Sequence, residues 1–247
     1  MKKKLISKEM VRRNILKLSG TLLIAATTAF NSAAQKTESR QVGEFTGISA
    51  SGAVSVYITQ GNTNSLKIEA DEAILKDVKT EVKSGVLRIS DEHDYKWFNG
   101  EKHSAVKAYV TVKTLNSIDL SGASSCKGET IIKTNKMDID VSGASNMTLI
   151  VETNTIDVDA SGASNIKISG TTKTSDVDAS GASRIKAFEL KSSTAKVIAS
   201  GASTVEINTS EDLQGHASGA STIVYKGSHQ RKNVSESGAS TVNQISN

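Results

Sequence analysis

"DVDASGASNIKISG", residues 157–170, holds the phrase that decides the fold. Ser161-Gly162-Ala163-Ser164 has near-copies centred on Gly122, Gly143, Gly181, Gly201, Gly219 and Gly238. The successive glycines from Gly122 are 21, 19, 19, 20, 18 and 19 residues apart. A shorter match, Ser51-Gly52-Ala53, lies well upstream. Self-similarity at one period of this length marks a repeat architecture, so the period is read before any local structure.

Aligning the copies on their first Ser reveals a second pattern. Three residues before it stand Ile118, Ile139, Val158, Val177, Val197, Gly215 and Val234. One before it come Leu120, Val141, Ala160, Ala179, Ala199, Ala217 and Glu236, and five after it Cys126, Met147, Ile166, Ile185, Val205, Ile223 and Val242. Seven after it, Leu149, Ile168, Ile207 and Tyr225 continue an inward face that Gly128, Ala187 and Gln244 weaken. The upstream copy follows suit with Val56 and Ile58. Alternation with period two on both sides of a glycine corner means strand, corner, strand.

Such a unit suits one coil of a β-solenoid, with two or three short strands per coil and equivalent residues stacked roughly 4.8 Å apart. Seven coils would then span roughly 30 Å. Gly permits a sharp corner with positive φ, Ala is small enough to sit inside the bend, and the flanking Ser hydroxyls can bond to backbone or to the Ser of the next coil. The rival reading, a ladder of nucleophiles, lacks a recurring base: His216 alone falls in a pre-corner strand. A calcium-binding nonapeptide repeat has the wrong period and lacks the required Asp.

The 247 residues are 37% hydrophobic but 4% aromatic, so the core must be built from small aliphatics, which stacked columns allow. The net charge of +4 belongs to the N-terminus. Residues 1–34 hold seven of the 30 Lys/Arg and one of the 26 Asp/Glu, leaving 23 basic and 25 acidic groups beyond them. That balance argues against a nucleic-acid surface.

Residues 1–34 read as an export signal. The basic residues Lys2, Lys3, Lys4, Lys8, Arg12, Arg13 and Lys17 precede the apolar run "TLLIAATTAF", residues 21–30, and Ser32 and Ala34 precede an expected cut before Gln35. The run is too short to span a bilayer. "VRRNILK", residues 11–17, resembles a twin-arginine signal with Val in place of the usual Ser or Thr, so both that route and the general secretory one stay open. No Cys lies near the cut to carry a lipid anchor, and the single cysteine, Cys126, forbids an intrachain disulfide. Its column predicts a buried apolar role. The expected location is the periplasm, the outer-membrane surface or the medium.

Residues 41–116 also read as β-structure, with weaker repetition. "FTGISASGAVSVYITQG" gives two strands around the first corner, "SLKIEAD" a third, and "VKTEVKSGVLRIS" a hairpin turning at Ser84-Gly85. "EAILKDV" suits one helical turn, and "AVKAYVTV" leads into the regular repeats of residues 117–247. This ordered set of segments, across about residues 41–227, resembles the autotransporter-adhesin head GIN domain family of exported bacterial proteins. The resemblance implies one domain over residues 41–247, an all-β fold of the right-handed parallel β-helix or β-solenoid kind, and a place outside the cytoplasm. It carries over no catalytic motif.

Two features are candidates for function. Asp119, Asp140, Asp159 and Asp178 sit two residues before the corner, and Asp138, Asp157 and Asp176 four before it. Both columns face outward, where stacked like charges repel. This is read as a solvated face that discourages aggregation, with calcium binding as the alternative. The inserted loop "DEHDYKWFNGEKH", residues 91–103, holds Tyr95, Trp97 and Phe98, which can contact a glycan or a protein partner or can form a lid. Its His and acidic residues have no recognised metal spacing, so neither metal nor cofactor is assigned.

These features favour a non-catalytic, adhesin-like binding or surface-interaction module. A polysaccharide-acting β-helix enzyme would need a localised acid–base set, whereas these acids are periodic. A structural envelope component is the third reading, because end coils offer edges for self-association and the tail from Gly227 onward makes a polar cap.

Overall fold

The computed structural model describes residues 35–92, 106–228 and 230–246. Its N-terminal part contains β1 (Gln35–Arg40), β2 (Gly47–Ser51), β3 (Val54–Gln60), β4 (Ser65–Asp71), one helical turn α1 (Glu72–Leu75), β5 (Val78–Lys83), β6 (Val86–Asp91) and β7 (Val106–Val112). There follow β8 (Ser117–Leu120), β9 (Ser125–Gly128), β10 (Ile132–Lys133), β11 (Lys136–Val141), β12 (Asn146–Glu152), β13 (Thr155–Ala160) and β14 (Asn165–Thr171). The chain continues through β15 (Thr174–Ala179), β16 (Arg184–Ala199), β17 (Thr204–Ala217), β18 (Thr222–Lys226), β19 (Arg231–Glu236) and β20 (Thr241–Gln244). The fold is an all-β solenoid of about seven turns with a repeat of about 19 residues.

Each regular coil has two strands and two corners. One parallel face stacks β8, β11, β13, β15, the ends of β16 and β17, and β19. The opposite face stacks β9, β12, β14, the starts of β16 and β17, then β18 and β20. The alternating apolar residues meet inside. Met147, Ile166, Ile185, Val205 and Ile223 are register partners in turn, and each is at most 2% exposed. Column gaps are filled from neighbours: a Cβ on Gly128 would lie 2.8 Å from Leu149 Cδ1, so the leucine already occupies that space.

The Ser-Gly-Ala-Ser corners form their own backbone ladder. Ala144 N–H donates to Gly122 O at 2.7 Å, Ala163 to Gly143 O at 2.8 Å and Ala182 to Gly162 O at 2.8 Å. Gly143 has φ +71°, and an added Cβ would approach Gly122 O to 2.4 Å. Glycine is therefore required by conformation and by stacking together. The alanine departs from expectation. Ala123, Ala144, Ala163 and Ala182 are exposed, while the last Ser of each corner is buried. That Ser points inward and at several corners bonds to a carbonyl, as in Ser203 Oγ to Ala179 O at 3.1 Å and Ser221 Oγ to Ala199 O at 2.9 Å, whereas Ser145 and Ser164 Oγ have no partner.

Departures from the 19-residue interval have local causes. The long interval after Gly122 breaks the second-face strand into β9 and β10, and Gln60 spans the break through Lys133 N–H to its Oε1 (2.7 Å) and Nε2 to Lys133 O (3.0 Å). The interval after Gly181 carries an extra residue where the β14–β16 register shifts between Lys167 and Ser169.

The N-terminal coils do not stack in chain order. β2 lies between β6 and β8, all parallel, and β3 lies between β7 and β9. The coil containing the first Ser-Gly-Ala corner is thus covered by one that the chain makes later, β6 and β7. β5 extends the first face antiparallel to β6, and β4 and then β1 extend the second face antiparallel from β7. α1 buries Ile74 and Leu75 at this end. Arg40 closes it by donating to Leu75 O at 3.0 Å and to Thr80 Oγ1 at 3.1 Å.

Candidate functional site

The out-of-order stacking creates a half-open trough of about 1090 Å³ on the first face. Its floor is the outward side of β2, where Ser49 and Ser51 are too small to fill a coil's width. Register sets Arg88 and Ser90 of β6 on one side and Ser117 and Asp119 of β8 on the other. Lys79 and Glu81 of β5 extend the first wall, opposite Ser90 and Arg88. Ser49 Oγ donates to Asp119 Oδ2 at 3.2 Å. Arg88 Nη1 is 4.0 Å from Glu81 Oε1, at the outer limit of an ion pair. Lys79 pairs with Glu92 at the trough margin. The result is a hydroxyl-lined floor between a wall of mixed charge, Lys79 and Arg88 with Glu81 and Glu92, and the carboxylate of Asp119.

The aspartate ladder continues from that carboxylate. Asp119, Asp140, Asp159 and Asp178 are successive register partners, as are Asp138, Asp157 and Asp176. Lys136 reaches Asp138 at 2.7 Å and Lys196 reaches Asp176 at 3.1 Å, so the outer column is partly neutralised. Burial first, and then neighbouring aspartates, push the carboxyls of Asp140, Asp159 and Asp178 above the usual range. Among the described residues, no group of three or more His, Cys, Asp or Glu is arranged to hold a metal ion. The ladder stops where Ile198 and His216 replace Asp. His216 Nδ1 lies 2.8 Å from Ser235 Oγ, a contact between adjacent coils. Lys127, Thr148, Lys167 and Lys186 align on the opposite face, a column that Glu206 ends.

Tyr95, Trp97, Phe98 and Ala34 lie outside the described residues, as does the span 1–34. Gln35 is the first residue of β1. Cys126 sits inside, between Val56 and Met147, and burial pushes its thiol up to about 12, which makes it unreactive. The aromatic pair Tyr57–Tyr109, stacked at 5.2 Å on the outer second face, escaped the sequence reading because β3 and β7 are far apart in the chain. The trough escaped it for the same reason. No helix among the described residues is long and apolar enough to cross a membrane.

Comparison with known proteins places this geometry. A family model described as "Putative auto-transporter adhesin, head GIN domain" matches residues 44–228. No curated protein matches. A crystal structure of a "putative adhesin" from Bacteroides fragilis has 24% identity and a TM-score of 0.75, covering 87% of this chain and 98% of its own. A "putative lipid binding protein" from Parabacteroides distasonis has 20% identity and a TM-score of 0.66, covering 87% and 98%. A "putative adhesin" from Parabacteroides merdae has 18% identity and a TM-score of 0.64, covering 87% and 97%. These likenesses show a shared fold, and the family match spans most of the chain: it belongs to the auto-transporter adhesin head GIN domain family.

Proposed function

We propose that this protein is an exported, non-catalytic, adhesin-like module that binds an extracellular glycan or protein, with residues 1–34 as the export leader and 41–247 as the binding domain. The trough carries the reading. Small hydroxyl residues between Arg88 and Asp119 offer donors and acceptors along an open channel, which suits an extended, hydroxyl-rich chain. The segment bearing Tyr95, Trp97 and Phe98 joins the chain at Glu92, a trough-lining residue, and these aromatics are proposed as further contacts. The polar lining does not suit an acyl chain, which separates this reading from the lipid binding named for the Parabacteroides distasonis neighbour. Aspartates that recur once per coil, rather than standing as one localised acid–base pair, favour the non-catalytic reading over a polysaccharide-acting enzyme.

Glycan-array and whole-cell binding of residues 35–247 test the proposal. Arg88→Ala with Asp119→Asn is expected to weaken binding by about 10–100-fold, the effect of losing charged hydrogen bonds, with the melting temperature unchanged. Binding equal to wild type would remove the trough from the proposal. Trp97→Ala is expected to weaken binding as well; lost stability with unchanged binding would make the loop a lid.

A further inference from the structure

The two ends of the solenoid are finished differently. The N-terminal end is covered by α1 and antiparallel strands. At the other end, among the described residues, β19 is paired as a strand only with β17 and β20 only with β18. The inner columns finish there on Val234 and Val242, which are half-buried, and Ile245 is 40% exposed.

The residues of β19 are Arg-Lys-Asn-Val-Ser-Glu. Register with Leu213, Gly215 and Ala217 places Lys232, Val234 and Glu236 on the inward-facing side, where earlier coils carry aliphatics. Ser237 N–H donates to Ala217 O at 2.9 Å. Bonding alternates along a parallel ladder, so the residues whose N–H and C=O turn to the free edge are Lys232, Val234 and Glu236. Antiparallel pairing of β19 with a second β19 about a two-fold at Val234 puts Val234 opposite Val234. It also puts Lys232 of each copy opposite Glu236 of the other. Inward residues meet inward residues, and each charge meets its opposite. The same rotation brings β20 antiparallel to its copy.

We propose that the last coil is a self-complementary docking edge for a second copy of this chain, forming a tail-to-tail two-fold dimer through β19. In the single chain Lys232 Nζ donates to Tyr225 OH at 3.1 Å, and Glu236 Oε1 accepts Val242 N–H at 2.6 Å. Both side chains thus fold over the open end and must swing outward on pairing. A heterologous stack would leave another open edge and grow into a filament, whereas this isologous one closes. Both N-terminal troughs stay uncovered. The inference rests on the strand edge and is independent of what the troughs bind.

Sedimentation equilibrium of residues 35–247 across a concentration series is the test. Wild type is expected to be a dimer that dissociates on dilution. Lys232→Glu and Glu236→Lys each place like charges opposite one another and are expected to weaken dimerisation at least about tenfold. The double reversal is expected to restore it. Val234→Pro removes an edge N–H without touching the ladder to β17 and is expected to give a monomer with the wild-type circular dichroism spectrum. A wild-type monomer at every concentration would overturn the proposal, making Lys232 and Glu236 guards of the edge instead. So would a dimer unaffected by Val234→Pro, or one that the double reversal fails to restore.

Discussion

Glycine and serine at the corner carry separate burdens, and substitutions should separate them. Gly143→Ala forces a left-handed residue to hold a Cβ against a neighbouring carbonyl, and is expected to cost about 2–4 kcal/mol in denaturant unfolding. Ala144→Ser, on the exposed side of the same corner, is expected to be silent. The buried serines offer a finer contrast. Ser221 Oγ bonds to two carbonyls, Ala199 O and Ser218 O, whereas Ser145 Oγ has no partner. Ser221→Ala is therefore expected to cost about 1 kcal/mol, and Ser145→Ala nothing or less. Equal losses at both sites would refute that account. Sequence alone identified the corner by its period and by glycine and expected serine hydroxyls on backbone groups, but it put Ala inside and did not tell the first Ser from the last. Which small side chain turns inward depends on the left-handed glycine, a matter of geometry rather than polarity.

Along the strands of the first face, charge is the governing variable. Burial and neighbouring carboxylates raise the acids of Asp140, Asp159 and Asp178, so the folded state takes up protons more readily than the unfolded chain. Ionised, these groups lower stability at neutral pH. The loss is relieved as pH falls through their raised folded values toward about 3.9, the unfolded value. Glu69, paired with Lys107, and Glu72, paired with Lys36, are shifted down and act oppositely, giving up their stabilisation as pH drops below about 4.3. Melting temperature is thus expected to rise as pH is lowered from neutrality toward about 4.3, the range in which these aspartates take up protons while the two glutamates remain ionised. The triple variant D140N/D159N/D178N is expected to melt roughly 2–4 °C higher at pH 7 and to show a flatter pH profile. A lower melting point with the slope intact would contradict the repulsion. The ladder itself was legible because aspartates recur two and four residues before each corner. Lys136 relieves it from two residues away on the same strand, whereas the relief by Lys196 follows from its register with Asp176.

The whole solenoid is a one-dimensional stack whose coils touch only their neighbours, so protection should vary along it. Hydrogen exchange is expected to be slowest in β11 to β16 and fastest in β19 and β20, where the inner residues are half-buried or exposed. Uniform protection through the last coil of a monomer would refute that gradient. Period, alternation and glycine spacing by themselves determined the parallel coils, the inward columns and the corner positions. Each coil repeats one local pattern, and its contacts lie one period away. The N-terminal order was decided only by tertiary structure. Nothing local tells β6 and β7 to cover β2 and β3, because strands with the same alternation are interchangeable until the antiparallel cap and α1 select an arrangement. The trough exists because that selection places Ser49 of β2 between Arg88 of β6 and Asp119 of β8, a juxtaposition of chain segments about 40 and 70 residues apart.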